Sequence, residues 1–288
     1  MRVMGAAERE MPIRVGAVTY LNTRPLVCSM ASMAPQARIE FDVPSRLADR
    51  LANGSLDIAT IPSIEYFRLP GATIVSDACI ACRGPVRSVK LYGRKRVERI
   101  RTLALDEGSR TSAAMCRILL RERYGVEPQL RTLPIGDSAS NTDADAVMLI
   151  GDRGMRSPPG DFEFVWDLGE QWTCWTGLPF VFSMWVGRPE VDLAGFDKVL
   201  AAARDDGEKR LEEIAHTEAP ALGISEHECL TYLRDHLVFH FGPRERSGLE
   251  MFGRLAGEHG LAPAGVPLRF YSDCGRPEGC ESNDQVFP

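Results

Sequence analysis

Four consecutive polar residues, 109–112 (Ser-Arg-Thr-Ser), have the side chains and the setting of an anion site. They lie between a strand-like apolar run at 102–105 and a helical pattern over 112–123. The first N–H groups of a helix lack partners within it, and the helix dipole favours negative charge there. Three hydroxyl groups and one guanidinium add donors. Because no Gly-x-x-x-x-Gly-Lys is present, we expect a small anion such as a carboxylate, although simple helix capping would explain any one of these residues.

Other polar segments lie immediately after predicted strands or at the start of one. They are 19–23, 61–63, 87–88 and 151–152. In open α/β sheets, the carboxyl ends of the strands line the ligand crevice. Ordinary turn chemistry explains each segment alone. Their repetition in two sets of elements indicates two lobes that face one another across a cleft.

The familiar catalytic and metal-binding patterns are missing. There is no Gly-x-Ser-x-Gly elbow and no His-Glu-x-x-His, and the five histidines begin only at His216. His236 and His240 have the spacing of a metal pair, but a surface helix explains them better. Cys79 and Cys82 form a CxxC pair, which we interpret as buried strand cysteines rather than a redox or zinc motif. The sequence therefore predicts no metal.

The predicted elements alternate between strand and helix, which indicates an α/β fold with a mainly parallel sheet. Ser45 is expected to cap a helix over 46–52, and 225–228 (Ser-Glu-His-Glu) resembles a capping box. The predicted strands are 13–18, 39–43, 56–61, 74–82, 86–92, 103–105, 145–150, 164–167 and 179–186. The last third is predicted to be helical over 196–203, 207–216, 225–236 and 244–259.

Bulk properties exclude several classes of protein. The chain has 288 residues, 44% of them hydrophobic, which is enough for one large domain or two lobes. A net charge of −6 argues against nucleic acid as a partner, and no apolar run approaches the ~20 residues of a membrane span. The start, 1–11, is interpreted as a polar extension without a signal peptide, so we expect a cytoplasmic protein. The end, 272–288, is interpreted as a poorly ordered tail.

Several of these segments, in the same order, resemble the MqnA family, the chorismate dehydratases of the futalosine route to menaquinone. The resemblance covers about 12–270 and is carried by the segments 16–26, 56–66, 84–89, 109–113, 149–152 and 175–182. It implies a fold like that of type II periplasmic binding proteins, with two α/β lobes, two chain crossings and a cleft between them. We expect lobe I to comprise 12–95 and 187–271 and lobe II to comprise 96–186. The crossings are expected near 93–100 and 184–188.

The resemblance also implies an activity. Family members convert chorismate to 3-[(1-carboxyvinyl)oxy]benzoate and water without a cofactor. Asn22 matches an asparagine proposed to act at the reacting centre of the family. The positions expected to bind substrate are Tyr20, Ser63, Ser88, Ser109, Arg110, Thr111, Ser112 and Asp152, although Arg110 can instead brace its turn. Two alternatives remain: the sister enzyme that makes 1,4-dihydroxy-6-naphthoate, and a solute-binding protein that only captures an anion.

Overall fold

The computed structural model describes residues 12–189, 191, 193 and 195–271. The predicted extension at 1–11 and tail at 272–288 lie outside the described residues. The strands are β1 (Arg14–Val18), β2 (Arg38–Asp42), β3 (Ile58–Pro62), β4 (Thr73–Cys82), β5 (Lys90–Gly93), β6 (Thr102–Asp106), β7 (Gln129–Leu133), β8 (Ala146–Leu149), β9 (Phe164–Asp167), β10 (Phe180–Gly187) and β11 (Val238–His240). The helices are α1 (Arg24–Val27), α2 (Met30–Met33), α3 (Pro44–Ala52), α4 (Ser63–Arg68), α5 (Arg110–Tyr124), α6 (Gly151–Met155), α7 (Leu168–Thr176), α8 (Phe196–Lys209), α9 (Leu211–Leu222), α10 (Glu226–Thr231) and α11 (Pro243–Glu258).

Two sheets form the centres of two α/β lobes. Lobe I contains the six-stranded sheet β11-β4-β10-β3-β1-β2, and lobe II contains the five-stranded sheet β7-β6-β8-β5-β9. Within lobe I, β2, β1 and β3 are parallel, while β10 runs antiparallel to both β3 and β4. Within lobe II, β6 is parallel to β7 and β8, while β5 runs antiparallel to β8 and β9. The sheets are therefore mixed: β10 and the edge strand β11 run against the other strands of lobe I, and β5 runs against the other strands of lobe II.

Two strands belong to the opposite sheet from the predicted one. β5 was expected in lobe I but pairs with β8 and β9 of lobe II. β10 was expected in lobe II but pairs with β3 and β4 of lobe I. The expected crossings at 93–100 and 184–188 accordingly move to the segments 83–89 and 168–179. Local patterns give strand content but not the distant partner to which the strand hydrogen-bonds, so sequence alone could not make this assignment.

Helix ends show how the local sequence positions the cleft residues. α5 begins where the Ser109 side chain accepts a hydrogen bond from the Ser112 N–H, and it ends at Gly125, whose φ of +64° favours glycine. The predicted capping box at 225–228 is confirmed at the start of α10. The predicted cap at Ser45 is wrong, because α3 starts at Pro44, one residue earlier. Proline suits this first helical position because it needs no N–H partner there.

The apolar core extends through both lobes, and a smaller cluster around Tyr92 and Val147 supports the lobe II sheet. Cys79 and Cys82 are fully buried on β4, which confirms them as core cysteines. Burial raises the pKa of Cys82 to about 12, so its thiolate does not form near neutral pH. No helix in the described part of the chain is long and apolar enough to span a membrane.

Candidate active site

A cavity lies between the lobes where the carboxyl ends of several strands meet. It has about 510 Å³ of empty space, including the part open to solvent. Six of the nine predicted site residues line it, and its described lining contains no Asp, Glu, His, Lys or Arg. The lining residues are Val18, Tyr20, Asn22, Pro44, Pro62, Ile80, Val86, Ser88, Val89, Ser109, Thr111, Ser112, Ile150, Gly151, Phe182 and Ser183. The cavity therefore offers neutral hydrogen-bonding groups on an apolar wall.

The N-terminus of α5 supplies one group of donors. Among the described residues, the N–H groups of Arg110 and Thr111 have no hydrogen-bond acceptor, as expected for a first helical turn. The Ser112 hydroxyl also lines the cavity without a partner in the described chain. The Ser109 hydroxyl is occupied in capping the helix. This end of the cavity can therefore bind a carboxylate through backbone N–H groups and one hydroxyl.

Ser88 lies on the crossing segment 83–89, at the end of a turn whose backbone is strained. Its N–H donates to the Val86 carbonyl at 2.8 Å, which closes a tight three-residue turn. Arg87 at the centre of that turn has φ +64°. Among the described residues, it is the one residue other than glycine with a positive φ. Such a turn costs about 1–3 kcal/mol and persists only when its surroundings hold it.

Asp167 holds this turn from the opposite side. Its carboxylate accepts hydrogen bonds from the backbone N–H groups of Val86 at 2.9 Å and Arg87 at 2.6 Å. It also caps α7 by accepting from the Glu170 N–H at 3.1 Å. One carboxylate therefore connects the first crossing segment to the start of the second. The Ser88 carbonyl packs so closely on α6 that a Cβ at Gly154 would lie 2.1 Å from its oxygen.

Tyr20 reaches from lobe I onto lobe II. Its ring lies against Gly151, where a Cβ would come within 2.9 Å of the ring, and its hydroxyl lies over Gly108. Gly151 also has φ +59°, so glycine satisfies both the backbone and the close approach. Burial raises the pKa of the Tyr20 phenol well above its ordinary value, so Tyr20 lines the cavity as a neutral group.

Hydrogen bonds within the protein occupy the other predicted site residues. Thr111 lines the cavity, but its hydroxyl oxygen accepts the Ile64 N–H of lobe I at 3.1 Å. Ser63 does not line the cavity; its hydroxyl donates to the Val181 carbonyl at 2.7 Å. Asp152 lies outside it as well and accepts the Leu21 N–H at 3.2 Å. Burial raises the pKa of the Asp152 carboxyl above its ordinary value.

Arg110 points away from the cavity, in contrast to the expectation that its guanidinium binds substrate. Its two terminal nitrogens contact Asp49 at 2.9 Å and Glu65 at 3.3 Å, both in lobe I. The guanidinium therefore connects the lobes outside the cavity lining, and neither of its partners belongs to the turn that it was alternatively expected to brace. Its partners are 61 and 45 residues away in the chain, so no local pattern could have indicated them.

The described histidines form no metal pair. His236 Nδ1 contacts the Pro85 carbonyl at 2.9 Å, and His240 lies on β11, so the expected common helix is absent. His240 Nε2 is 2.8 Å from Glu208, with Asp205 close by. Asp205 is already paired with Arg204 at 2.8 Å, and this exposed group lies outside the cavity.

Sequence reasoning missed residues that act through the backbone or from behind the cavity wall. Asp167 and Gly154 hold the Ser88 turn, and Tyr232 hydrogen-bonds the Ser88 hydroxyl. A capping pattern at Asp167 was visible three residues before Glu170, but nothing local connects it with residues 86–87.

The sequence model of a family described as menaquinone biosynthesis matches residues 13–258. The chain belongs to this family. The match includes both lobes and every predicted site residue.

Individual relatives agree with this membership. The chain is 28% identical over 265 residues to a protein named chorismate dehydratase from Thermus thermophilus, covering 85% of this chain and 96% of the relative. It resembles the crystal structure of protein AF1704 from Archaeoglobus fulgidus, with a TM-score of 0.69, 13% identity and coverage of 88% and 100%. It also resembles the periplasmic aliphatic sulphonate-binding protein SsuA from Escherichia coli, with a TM-score of 0.63, 16% identity and 96% coverage of both chains. These structural likenesses confirm the predicted periplasmic-binding-protein fold.

Proposed function

We propose that this member of the menaquinone biosynthesis family is a chorismate dehydratase, which converts chorismate to 3-[(1-carboxyvinyl)oxy]benzoate and water. The observation that carries the proposal is the family match over residues 13–258. The relative named chorismate dehydratase supports the choice of substrate. The cavity supports it chemically, because its hydroxyl and N–H groups suit an acid with two carboxylates and a hydroxyl.

The reaction does not require an acidic or basic side chain of the protein to transfer the proton. The ring loses the proton on its ether-bearing carbon, and that electron pair becomes the third double bond of the aromatic ring. The neighbouring C–O bond breaks at the same time, and hydroxide leaves with the proton as water. Aromatisation drives the elimination. In this proposal a carboxylate of the substrate takes the proton and passes it to the departing hydroxide, consistent with a described lining that contains no carboxylate or imidazole.

The site residues then divide into two groups. The first turn of α5, with Thr111 and Ser112, holds one substrate carboxylate through N–H and hydroxyl donors. Asn22 and Ser88 face the reacting end, where donors stabilise the negative charge that develops on the departing oxygen. Tyr20 covers this end and limits the access of water.

Incubation of the purified protein with chorismate tests the proposal. We expect an aromatic product lighter than chorismate by one water, identified by liquid chromatography with mass spectrometry. Chorismate that binds but is not consumed would favour a solute-binding protein instead. If chorismate is inert and 1,4-dihydroxy-6-naphthoate is formed from its own precursor, the chain is the sister enzyme.

Replacement of Asn22 tests the site within the same assay. Asn22→Ala should retain the fold and lower kcat by about 10²–10³-fold, the usual cost of removing a donor to developing charge. Asn53→Ala is a matched control, because Asn53 only accepts the Ser55 N–H at an exposed helix end. Near wild-type turnover in Asn22→Ala would remove Asn22 from the mechanism. The futalosine route and the cytoplasmic location inferred from the sequence remain predictions.

A further inference from the structure

Tyr232 lies directly behind the reacting end of the cavity. It begins a π-helical segment, Tyr232–His236, that follows α10; such segments occur frequently at functional sites. The side chain is 1% exposed, and its hydroxyl donates to the Ser88 Oγ at 2.9 Å. At the other end of the segment, His236 contacts the Pro85 carbonyl at 2.9 Å. The segment therefore packs against the crossing that carries Ser88.

Hydrogen bonds around Tyr232 run in one direction. The Thr23 hydroxyl donates to Asn22 Oδ1 at 3.3 Å, which leaves the Asn22 NH₂ group as a donor. The Asn22 side chain opposes the rise in the Tyr232 pKa, as a donor near the phenol oxygen does, and the Tyr232 hydroxyl donates its proton to Ser88 Oγ. Among the described residues, Tyr232 alone hydrogen-bonds Ser88 Oγ. The Ser88 proton is consequently left for an acceptor in the cavity.

We propose that Tyr232 is a positioning residue for the dehydration: it gives its proton to Ser88, so that the Ser88 hydroxyl donates toward the departing substrate oxygen. The inference rests on the proposed function. Without the Tyr232 proton, Ser88 turns its own proton toward Asn22 or another protein acceptor. Aligned hydrogen bonds of this kind polarise one another, which strengthens the last donor in the chain.

Burial keeps this arrangement in one protonation state. Desolvation raises the pKa of the Tyr232 phenol well above its ordinary value, so the hydroxyl carries its proton at neutral pH. Asp152 and Asp167 are the charged groups that act on it, and both also raise its pKa. Tyr232 therefore works as a fixed donor, and the reaction does not require it to ionise.

The test compares Tyr232→Phe with Tyr66→Phe. Both tyrosines are buried and both hydroxyls are hydrogen-bonded, but Tyr66 contacts the Pro267 carbonyl and the Arg269 N–H away from the cavity. We expect Tyr232→Phe to lower kcat about 10- to 100-fold with KM changed less than about twofold, since a donor to developing charge is misaligned rather than deleted. Tyr66→Phe should lose at least as much thermal stability and retain its kcat.

A double-variant cycle shows whether Tyr232 acts through Ser88. Tyr232→Phe should have almost no further effect on kcat in a Ser88→Ala background, because the donor it aligns is already gone. A full additive loss in that background, or wild-type kcat in Tyr232→Phe alone, would overturn the inference.

The two proposals fail differently. If wild-type protein does not consume chorismate, the proposed function is wrong. If it does and Tyr232→Phe matches it, only the role of Tyr232 is wrong. A crystal structure of Tyr232→Phe supplies a readout independent of turnover: we expect the Ser88 hydroxyl to leave its wild-type rotamer, and an unchanged rotamer would contradict the proposed alignment.

Discussion

Asp167→Asn is the sharpest perturbation of the Ser88 turn that leaves the cavity lining intact. Asparagine keeps one oxygen for the Val86 and Glu170 N–H groups, but its NH₂ cannot accept the Arg87 N–H that Asp167 Oδ2 accepts at 2.6 Å. A hydrogen bond to a charged group is worth about 1.5–3 kcal/mol, and the exposure of Arg87 favours the lower value. The variant therefore loses about 1.5 kcal/mol of support for a turn that is strained by a similar amount.

This loss predicts a measurable kinetic effect. Because each 1.36 kcal/mol corresponds to a factor of ten, the ratio of molecules with Ser88 correctly placed to those without should fall about tenfold, and kcat for chorismate should fall severalfold, up to that factor. Asp145→Asn is the control: Asp145 Oδ2 accepts the Arg101 and Thr102 N–H groups at 2.7 and 3.1 Å, and its Oδ1 pairs with Lys95, all in lobe II and outside the cavity. We expect similar destabilisation and unchanged kcat in the control. Unchanged kcat in Asp167→Asn would refute the claim that this carboxylate positions Ser88.

Two further predictions concern charges outside the cavity. Arg110→Ala should raise the KM for chorismate at most about fivefold, since a partly exposed ion pair contributes about 0–1 kcal/mol. An increase above about 30-fold would show instead that the guanidinium binds the substrate. Burial alone would raise the pKa of Asp57, but hydrogen bonds from the Arg14 guanidinium and N–H lower it below the ordinary value. Asp57→Asn should therefore cost about 2 kcal/mol of unfolding free energy at pH 7. In denaturant titrations, the difference in unfolding free energy between wild type and Asp57→Asn should persist above the pKa of Asp57 in the unfolded chain, about 3.9. It should vanish as pH falls through the lower pKa of Asp57 in the folded protein. A difference that does not change with pH would contradict the lowered pKa of Asp57.

Local sequence patterns predicted the features that depend on neighbouring residues. The strand before Ser109 and the helix that follows it lie within a few residues of one another, and both are confirmed; of the hydroxyls at 109–112, Ser109 is the one that caps the helix. The placement of Tyr20 and Asn22 at the cavity also agrees with polar residues that follow a strand, whereas Ser88 lies just before β5. Such patterns reflect backbone hydrogen-bonding needs, which the local sequence largely determines.

Features that depend on distant partners could not be predicted in this way. The Tyr232 hydroxyl meets Ser88 across 144 residues, and Asp167 meets Val86 across 81. A tyrosine near the end of a predicted helix gives no indication of this role, because helical spacing assigns it only to an apolar face. For the same reason β5 and β10 were placed in the wrong sheet, since either strand would satisfy the same local pattern in both.

The position of Arg110 outside the cavity has a chemical consequence for the proposed reaction. A cation within about 4–6 Å lowers the pKa of a carboxylate by about 1–3 units and so weakens it as a base. A substrate carboxylate held only by N–H and hydroxyl donors in an apolar cavity keeps more of its basicity, and desolvation increases it further. A cavity whose described lining carries no cation therefore suits a reaction in which the substrate removes its own proton. The Asp49 and Glu65 side chains contribute to this by holding the nearby guanidinium outside the cavity lining.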